Sequence, residues 1–249
     1  MNNSFVDCSF IGGGCCNEIC SQFAAVVGGC NNKVTSGYTH NSIVGGAQNS
    51  ISNSAGRSFI GGGQCNQINA CYSSYHAILG GFRNCITSEY GYGNNSIVGG
   101  AQNFISDYNA SCNFIGSGTN NTISGYVASR HSIVGGSTNT INGYTTNSSI
   151  LGGCGNTVNH SCAFIIGANI TTTAACTTFM NNASVGTSLK LPLFTSTSVT
   201  TNGSLNPVQV PYASTQDTLA LLAVDPSGNV VKGSQEGTWT FTKAQLDAL

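Results

Sequence analysis

Charge is what this chain has least of. Only 6% of its 249 residues are Asp, Glu, Lys or Arg, where an ordinary globular protein carries roughly 25%. Seven basic residues against eight acidic ones leave a net charge of −1. No cluster of Lys and Arg exists to displace counterions from a phosphate backbone, so nucleic acid is not an expected partner. Long apolar runs are absent too: nothing approaches the ~20 residues of a membrane-spanning helix, and membrane insertion is not expected. The opening Met1-Asn2-Asn3-Ser4-Phe5 has neither the charged nor the apolar region of a secretory signal. Proline is confined. All four (Pro192, Pro207, Pro211, Pro226) lie beyond residue 190, which leaves the first two thirds free of the residue that most disrupts a strand ladder.

What fills the space is a repeat. Between Phe10 and Val158 the chain writes small-Ile-Val-Gly-Gly-x-x-Asn-x-Ile nine times, most cleanly as Ser42-Ile43-Val44-Gly45-Gly46-Ala47-Gln48-Asn49-Ser50-Ile51. The second glycine recurs at intervals of 15 to 19 residues, from Gly14 to Gly153. The asparagine keeps the same beat at Asn17, Asn32, Asn49, Asn66, Asn84, Asn103, Asn121, Asn139 and Asn156. Only the connection between copies changes length. A unit this short encloses no core of its own, so copies must stack and bury their aliphatic residues against one another. Regularly spaced Ile and Val in every copy argue against disorder, which the Gly, Ser and Asn content alone would permit.

Glycine pairs, β-branched residues and the lack of a 3.6-residue stripe read as two short strands joined by a Gly-Gly corner. The expected fold is an all-β parallel β-solenoid (β-roll or β-helix) of nine to ten rungs with 17–18-residue repeats, on the order of 45 Å long at the spacing of neighbouring strands. The asparagines are expected to point inward at the corner and form a ladder of hydrogen bonds to the backbone. Residues 1–170 form this solenoid in our reading. Residues 171–249 form a β-rich tail, with Asp217–Gly233 as two strands around a Pro-Ser-Gly turn.

Side chains alternate across a strand, so the first and third residues of each motif share a face. Their sizes trade. Phe10, Phe59 and Phe114 are followed two residues later by Gly12, Gly61 and Gly116, whereas Ala or Ser at the first position goes with Val or Leu at the third. Phenylalanine returns at Phe164, so a three-rung unit was duplicated. A second apolar face therefore needs cover, and a homotrimer packing on Phe10, Phe59, Phe114 and Phe164 is the expected solution.

The reiterated Ser-Ile-Val-Gly-Gly-x-x-Asn-x-Ile-Ser, with linkers such as Ser124-Gly125-Tyr126-Val127-Ala128-Ser129, resembles the β-roll heads of trimeric autotransporter adhesins and related repeats in phage and large-virus fibre proteins. The resemblance covers about residues 9–170. Thr178–Leu193 and Leu222–Lys232 are similar to segments near the ends of viral fibre proteins. It implies a homotrimer on a virion or extracellular surface, touching a host-surface glycan or receptor protein, with other virion or fibre proteins at its ends. The resulting expectation is a non-enzymatic virion fibre or surface adhesin; the alternative is a purely structural decoration or spacer of a capsid or extracellular filament.

Candidate contact residues are the linker tyrosines Tyr72, Tyr75, Tyr90, Tyr92, Tyr108, Tyr126 and Tyr144, either as a glycan- and protein-contact surface or as packing over rung corners. No catalytic residue, cofactor or metal is expected. The twelve cysteines form no pair of Cys-x-x-Cys knuckles and read as small buried thiols, with Cys15 or Cys16 to Cys30 the best intrachain bridge. The four histidines, in variable linkers without a repeated acid or nucleophile, read as solvated. Thr is too irregular for the flat ladder of an ice binder, and the scattered acids do not supply the paired carboxylates of a polysaccharide hydrolase.

Overall fold

A computed structural model describes residues 3–4, 8–90, 93–109, 111–126 and 128–181, together with the strands Val199–Thr200, Leu222–Val224 and Asn229–Lys232. The chain divides into two compact units, Met1–Ala183 and Ser184–Leu249. The first is a parallel β-solenoid of about ten rungs, and each copy of the motif supplies one strand to each of two sheets. The Ser-Ile-Val segments make an eleven-stranded leading sheet running from Phe10–Ile11 to Thr178–Met180. The Asn-x-Ile segments make a ten-stranded trailing sheet from Asn3–Ser4 to Thr157–Val158. Pairing follows the repeat throughout: Ser96 lies opposite Ala77 and Phe114, and Cys85 opposite Gln67 and Phe104.

Because equivalent residues stand in register, side chains form columns. Ile43, Ile60, Ile78, Ile97, Ile115, Ile133 and Ile150 of the leading sheet meet Ile51, Ile68, Ile86, Ile105, Ile123 and Ile141 of the trailing sheet in one core, each fully buried. β-Branched side chains suit this place, since they are stiff at χ1 and fill a pleated surface. Burying each contributes about 1.5–3 kcal/mol. The leading sheet carries on past residue 170, where the sequence beat stops, through Thr178–Met180 paired with Phe164–Ile166.

The Gly-Gly corner holds the stack in register. The second glycine of each pair sits at positive φ, +82° at Gly46 and +84° at Gly100, a conformation glycine adopts without steric cost. Against it lies the asparagine. Asn84 donates through Nδ2 to the carbonyls of Gly80 (2.9 Å) and Gly100 (3.0 Å), and its Oδ1 accepts from the backbone N–H of Asn103 (3.0 Å). Asn17, Asn32, Asn49, Asn66, Asn103, Asn121, Asn139 and Asn156 make the same set, each buried, so the corner amides run as one hydrogen-bonded file. Each residue serves both its own rung and its neighbour, which satisfies backbone groups that a tight corner removes from the sheet ladder.

The trade of Phe against Gly has a steric cause within the rung. The ring of Phe10, Phe59 or Phe114 lies back over the glycine two residues on, 3.1–3.4 Å from where a Cβ on Gly12, Gly61 or Gly116 would stand, and that Cβ would also meet a backbone carbonyl oxygen of the next rung at 2.4–2.5 Å.

A second column of buried polar groups precedes the leading strands. Asn41 accepts from Ser58 N–H, Asn95 from Asn113 N–H, Asn113 from His131 N–H, and His131 Nδ1 from Ser148 N–H. His76 stands in the same column. This corrects the expectation that the histidines are solvated: His76 and His131 are each 1% exposed, His131 taking the acceptor role of the asparagine amide through Nδ1 and His76 pairing through Nε2 with Ser73 Oγ at 3.0 Å. His40 stays exposed and stacks on Phe23 at 5.2 Å, and His160 is half-buried.

The cysteines need the opposite correction. All twelve are free thiols, eight of them exposed and four half-buried. They stand at outward strand positions such as Cys85 or at left-handed corners such as Cys8, Cys65 and Cys112. The inward positions are taken by isoleucine.

In the second unit, Asn229–Lys232 lies between Val199–Thr200 and Leu222–Val224, antiparallel to both, with Val224 opposite Val230. The segment Trp239–Leu249 lies outside the described residues.

Candidate binding surface

The outer face of the trailing sheet is built from small polar residues. Thr35, Ser52, Asn69, Thr87, Ser106, Ser124 and Asn142 are consecutive in-register partners and half-buried. Their hydroxyls and amides line the solvent side of the sheet at the ~4.8 Å spacing of neighbouring strands. Ser124 Oγ donates to Asn142 Oδ1 at 3.3 Å, one of few bonds within the file.

Beside this face runs a file of tyrosines. Tyr38 meets Tyr72 edge-on at 6.5 Å, and from Tyr72 onward the ring centroids follow at 5.5, 5.4, 4.6 and 5.8 Å through Tyr90, Tyr108, Tyr126 and Tyr144. These distances lie within the range of favourable ring pairs, each contributing about 0.5–1.5 kcal/mol beyond burial. Every ring keeps an open edge, with exposure from 37% at Tyr108 to 76% at Tyr144. Tyr72 and Tyr90 reach the file from left-handed corners. The backbone then slips by one residue, for Tyr108 lies opposite Glu89 rather than Tyr90, and the side chains absorb the step. Five of the six tyrosines are 18 residues apart in sequence, one rung each.

The expected contact residues thus divide. Tyr72, Tyr90, Tyr108, Tyr126 and Tyr144 stand together. Tyr75 belongs to another column, where the Arg57 guanidinium lies 5.4 Å from its ring centroid. Tyr92 lies outside the described residues. Tyr38, absent from the sequence-based set, heads the file.

Where the polar face meets the tyrosines, a shallow depression of about 330 Å³ is lined by Thr87, Glu89, Ser106, Tyr108, Ser124, Gly125 and Tyr126. It brings together hydroxyls, one exposed carboxylate and two aromatic edges. The Tyr126 phenol beside Tyr108, with lesser effects from partial desolvation, Tyr90 and Glu89, holds the Tyr108 phenol above its usual pKa. At neutral pH the Tyr108 phenol is therefore uncharged. Such a surface offers hydrogen-bond donors and acceptors beside aromatic edges. Among the described residues no cluster of three metal-ligating side chains occurs. Glu18 is engaged by Lys33 at 3.1 Å.

The outer face of the leading sheet carries an apolar column beside a file of Phe, Ala and Ser. Val27, Val44, Leu79, Val98, Val134, Leu151 and Ile166 stand in one column, 39–51% exposed, flanked by Phe10 at 58% and Phe59 at 38%. Phe114 and Phe164 are half-buried in the same sheet. Monomeric proteins seldom leave a contiguous apolar patch of more than a few hundred Å² in water.

The buried histidines give this rod a pH dependence. Desolvation lowers the pKa of His76 from 6.5 to about 4, and its Nδ1 is buried without a hydrogen-bond partner. Below pH 6.5 the unfolded chain takes up a proton that the folded one refuses, so stability falls with pH until the folded site also titrates near 4. The loss is about 3 kcal/mol across that window. Burial lowers the pKa of His131 as well, in the same direction. Urea unfolding at pH 7 and pH 4 is expected to show the difference, and H76N, which places there the residue found at Asn41 and Asn95, to remove the His76 share.

Neither the models of known protein families nor the curated proteins give a match to this chain.

Proposed function

We propose that the protein is a non-enzymatic virion fibre or surface adhesin: a rigid homotrimeric rod whose leading sheets pack together about the axis and whose tyrosine files face outward to contact host-surface glycans. The observation that carries this reading is the pairing of two unlike surfaces on one solenoid. One is an apolar column along the whole leading sheet, suited to burial against other copies. The other is a file of tyrosines beside ranked hydroxyls, suited to a hydroxyl-rich ligand. Three copies of a weak site on one stiff shaft gain avidity through effective concentration, without any single tight contact.

Two variants separate the surfaces. V98D places a carboxylate in the apolar column, where Val98 is 43% exposed. Sedimentation is expected to show it as a smaller species than the wild type, with unchanged far-UV circular dichroism. Y108A removes a ring from the middle of the file. It is expected to keep the oligomer and to bind a glycan array or host cells at least about tenfold more weakly, a difference of about 1.4 kcal/mol. Equal binding by Y108A and wild type would overturn the glycan-contact role.

The mutual stacking of the rings favours a second reading, the structural spacer. Rings that cover one another's faces stiffen the side of the rod whether or not anything binds. Absence of binding to any glycan or cell surface by an intact trimer would select it.

A further inference from the structure

Twelve cysteines on a stacked repeat allow few in-register pairs, and the two found here stand at opposite ends of the rod. At the first corner Cys15 and Cys30 are parallel bridge partners on neighbouring rungs, with their Sγ atoms 3.6 Å apart. At the last turn Phe164 lies opposite Thr178, and the same register sets Cys162 opposite Cys176. Both of these occupy left-handed corners, at φ of +56° and +54°. Their thiols are hydrogen-bonded, which holds the Cys176 thiol above its usual pKa. Cys30 is half-buried and the other three are exposed, so a soluble oxidant reaches each pair. Other cysteines look onto different residues: Cys30 is followed by Ala47, Cys71 faces Glu89, and Cys85 faces Gln67 and Phe104. Neighbouring strands stand about 4.8 Å apart, inside the Cα separation of about 4.4–6.8 Å that a disulfide spans.

We infer that Cys15–Cys30 and Cys162–Cys176 are oxidative cross-linking sites, closed as disulfides by exchange with a small disulfide such as oxidised glutathione, that staple the first and last turns of the solenoid. The Cys15 thiolate attacks one sulfur of oxidised glutathione, breaking its S–S bond and releasing one glutathione thiolate. The Cys30 thiolate then attacks the Cys15 sulfur, forming the protein disulfide and releasing the second glutathione. The protein dithiol is oxidised, glutathione disulfide is reduced to two thiols, and the two protons given up by the cysteines end on the two glutathione sulfurs. The second pair reacts in the same way. Cys16, whose Sγ is 3.5 Å from that of Cys15, is a poorer partner because a bridge between adjacent residues distorts the peptide joining them. The ends are where such staples matter. Among the described residues the first and last turns have a neighbouring turn on one side only, and opening of a stacked repeat starts at such turns.

The test uses the full chain, reduced and then incubated with oxidised glutathione, alkylated and mapped as peptides without reduction. The expected result is two internal disulfides, Cys15–Cys30 and Cys162–Cys176, a mass lower by two hydrogens for each, and a midpoint of thermal unfolding several degrees above that of the reduced protein. C15S/C162S substitutes exposed side chains, so it is expected to fold as the wild type. It is expected to retain glutathione on Cys30 and Cys176 and to show no such rise. C30A/C176A asks the same question from the partner side. Persistent glutathione adducts on Cys15 or Cys162 of the wild type, bridges between chains, a Cys15–Cys16 bridge, or equal melting of oxidised and reduced protein would each overturn the assignment.

Discussion

G100A is expected to break the stack at mid-rod, while G99A, one residue earlier, is expected to be neutral or slightly stabilising. The contrast follows from the corner. A Cβ on Gly100 would stand 2.1 Å from the carbonyl oxygen of Gly118 and 2.7 Å from its nitrogen, and φ is +84°. Backbone on both sides is fixed by the ladder, with Ala101 N–H donating to that same Gly118 carbonyl at 2.9 Å. Nothing at the corner can yield without opening the rung. A Cβ on Gly99 would meet nothing within 4 Å. G100A is therefore expected to cost more than about 4 kcal/mol, the range reserved for hard backbone clashes, and G99A to change stability by less than about 1 kcal/mol. Urea denaturation of the two variants checks this. The chain already carries a version of the experiment: Ser117 occupies the first-glycine position of its corner, while Gly118 keeps the second at φ +99°.

N84A is expected to be strongly destabilising, as is loss of any asparagine in the central rungs' file. It leaves the buried N–H of Asn103 without its acceptor and takes the Nδ2 donor from the carbonyls of half-buried Gly80 and exposed Gly100, the latter still accepting from Phe82 N–H. A buried unsatisfied donor costs about 1–3 kcal/mol and each lost carbonyl bond about 0.5–1.5 kcal/mol, so a loss of about 2–5 kcal/mol is expected. N84D tests the chemistry rather than the volume. The carboxylate keeps the acceptor for Asn103 but turns an oxygen toward the two glycine carbonyls. Its penalty is thus expected to shrink as the pH falls and the acid regains a donor. Amide exchange at Asn103 reports the local opening, and protection equal to that of the wild type would contradict the proposed role of the file.

Fold was legible in this sequence because its governing signal is a beat that one residue type keeps. Gly46, Gly63 and Gly81 recur with Asn49, Asn66 and Asn84 at a fixed separation, and each must recur because each rung closes its own corner. Inward and outward faces were legible from the trade of Phe59 with Gly61 against Ser96 with Val98. The buried histidines were not, since their column reads Asn41, Ser58, His76, Asn95, Asn113, His131 and Ser148, a set united by hydrogen bonding rather than by residue type. Cysteine misled for a related reason: the usual burial of a free thiol says little where isoleucine monopolises the interior and the left-handed corners point outward. The tyrosine file carried an available signal, its spacing of 18 residues from Tyr72 to Tyr144, but the file lies in connections of changing length. Tyr75 shares its composition without sharing its column.

The central claim is that the apolar column of the leading sheet is the inside of an assembly. Its energetic basis is the aliphatic file from Val27 to Ile166, which a single chain leaves about half in water. Sedimentation equilibrium of the full chain under native conditions tests it most directly. One species at three times the chain mass of 25.5 kDa is expected, persisting on dilution; a stable, soluble monomer with Val44, Leu79, Val98 and Val134 in solvent would overturn the trimer.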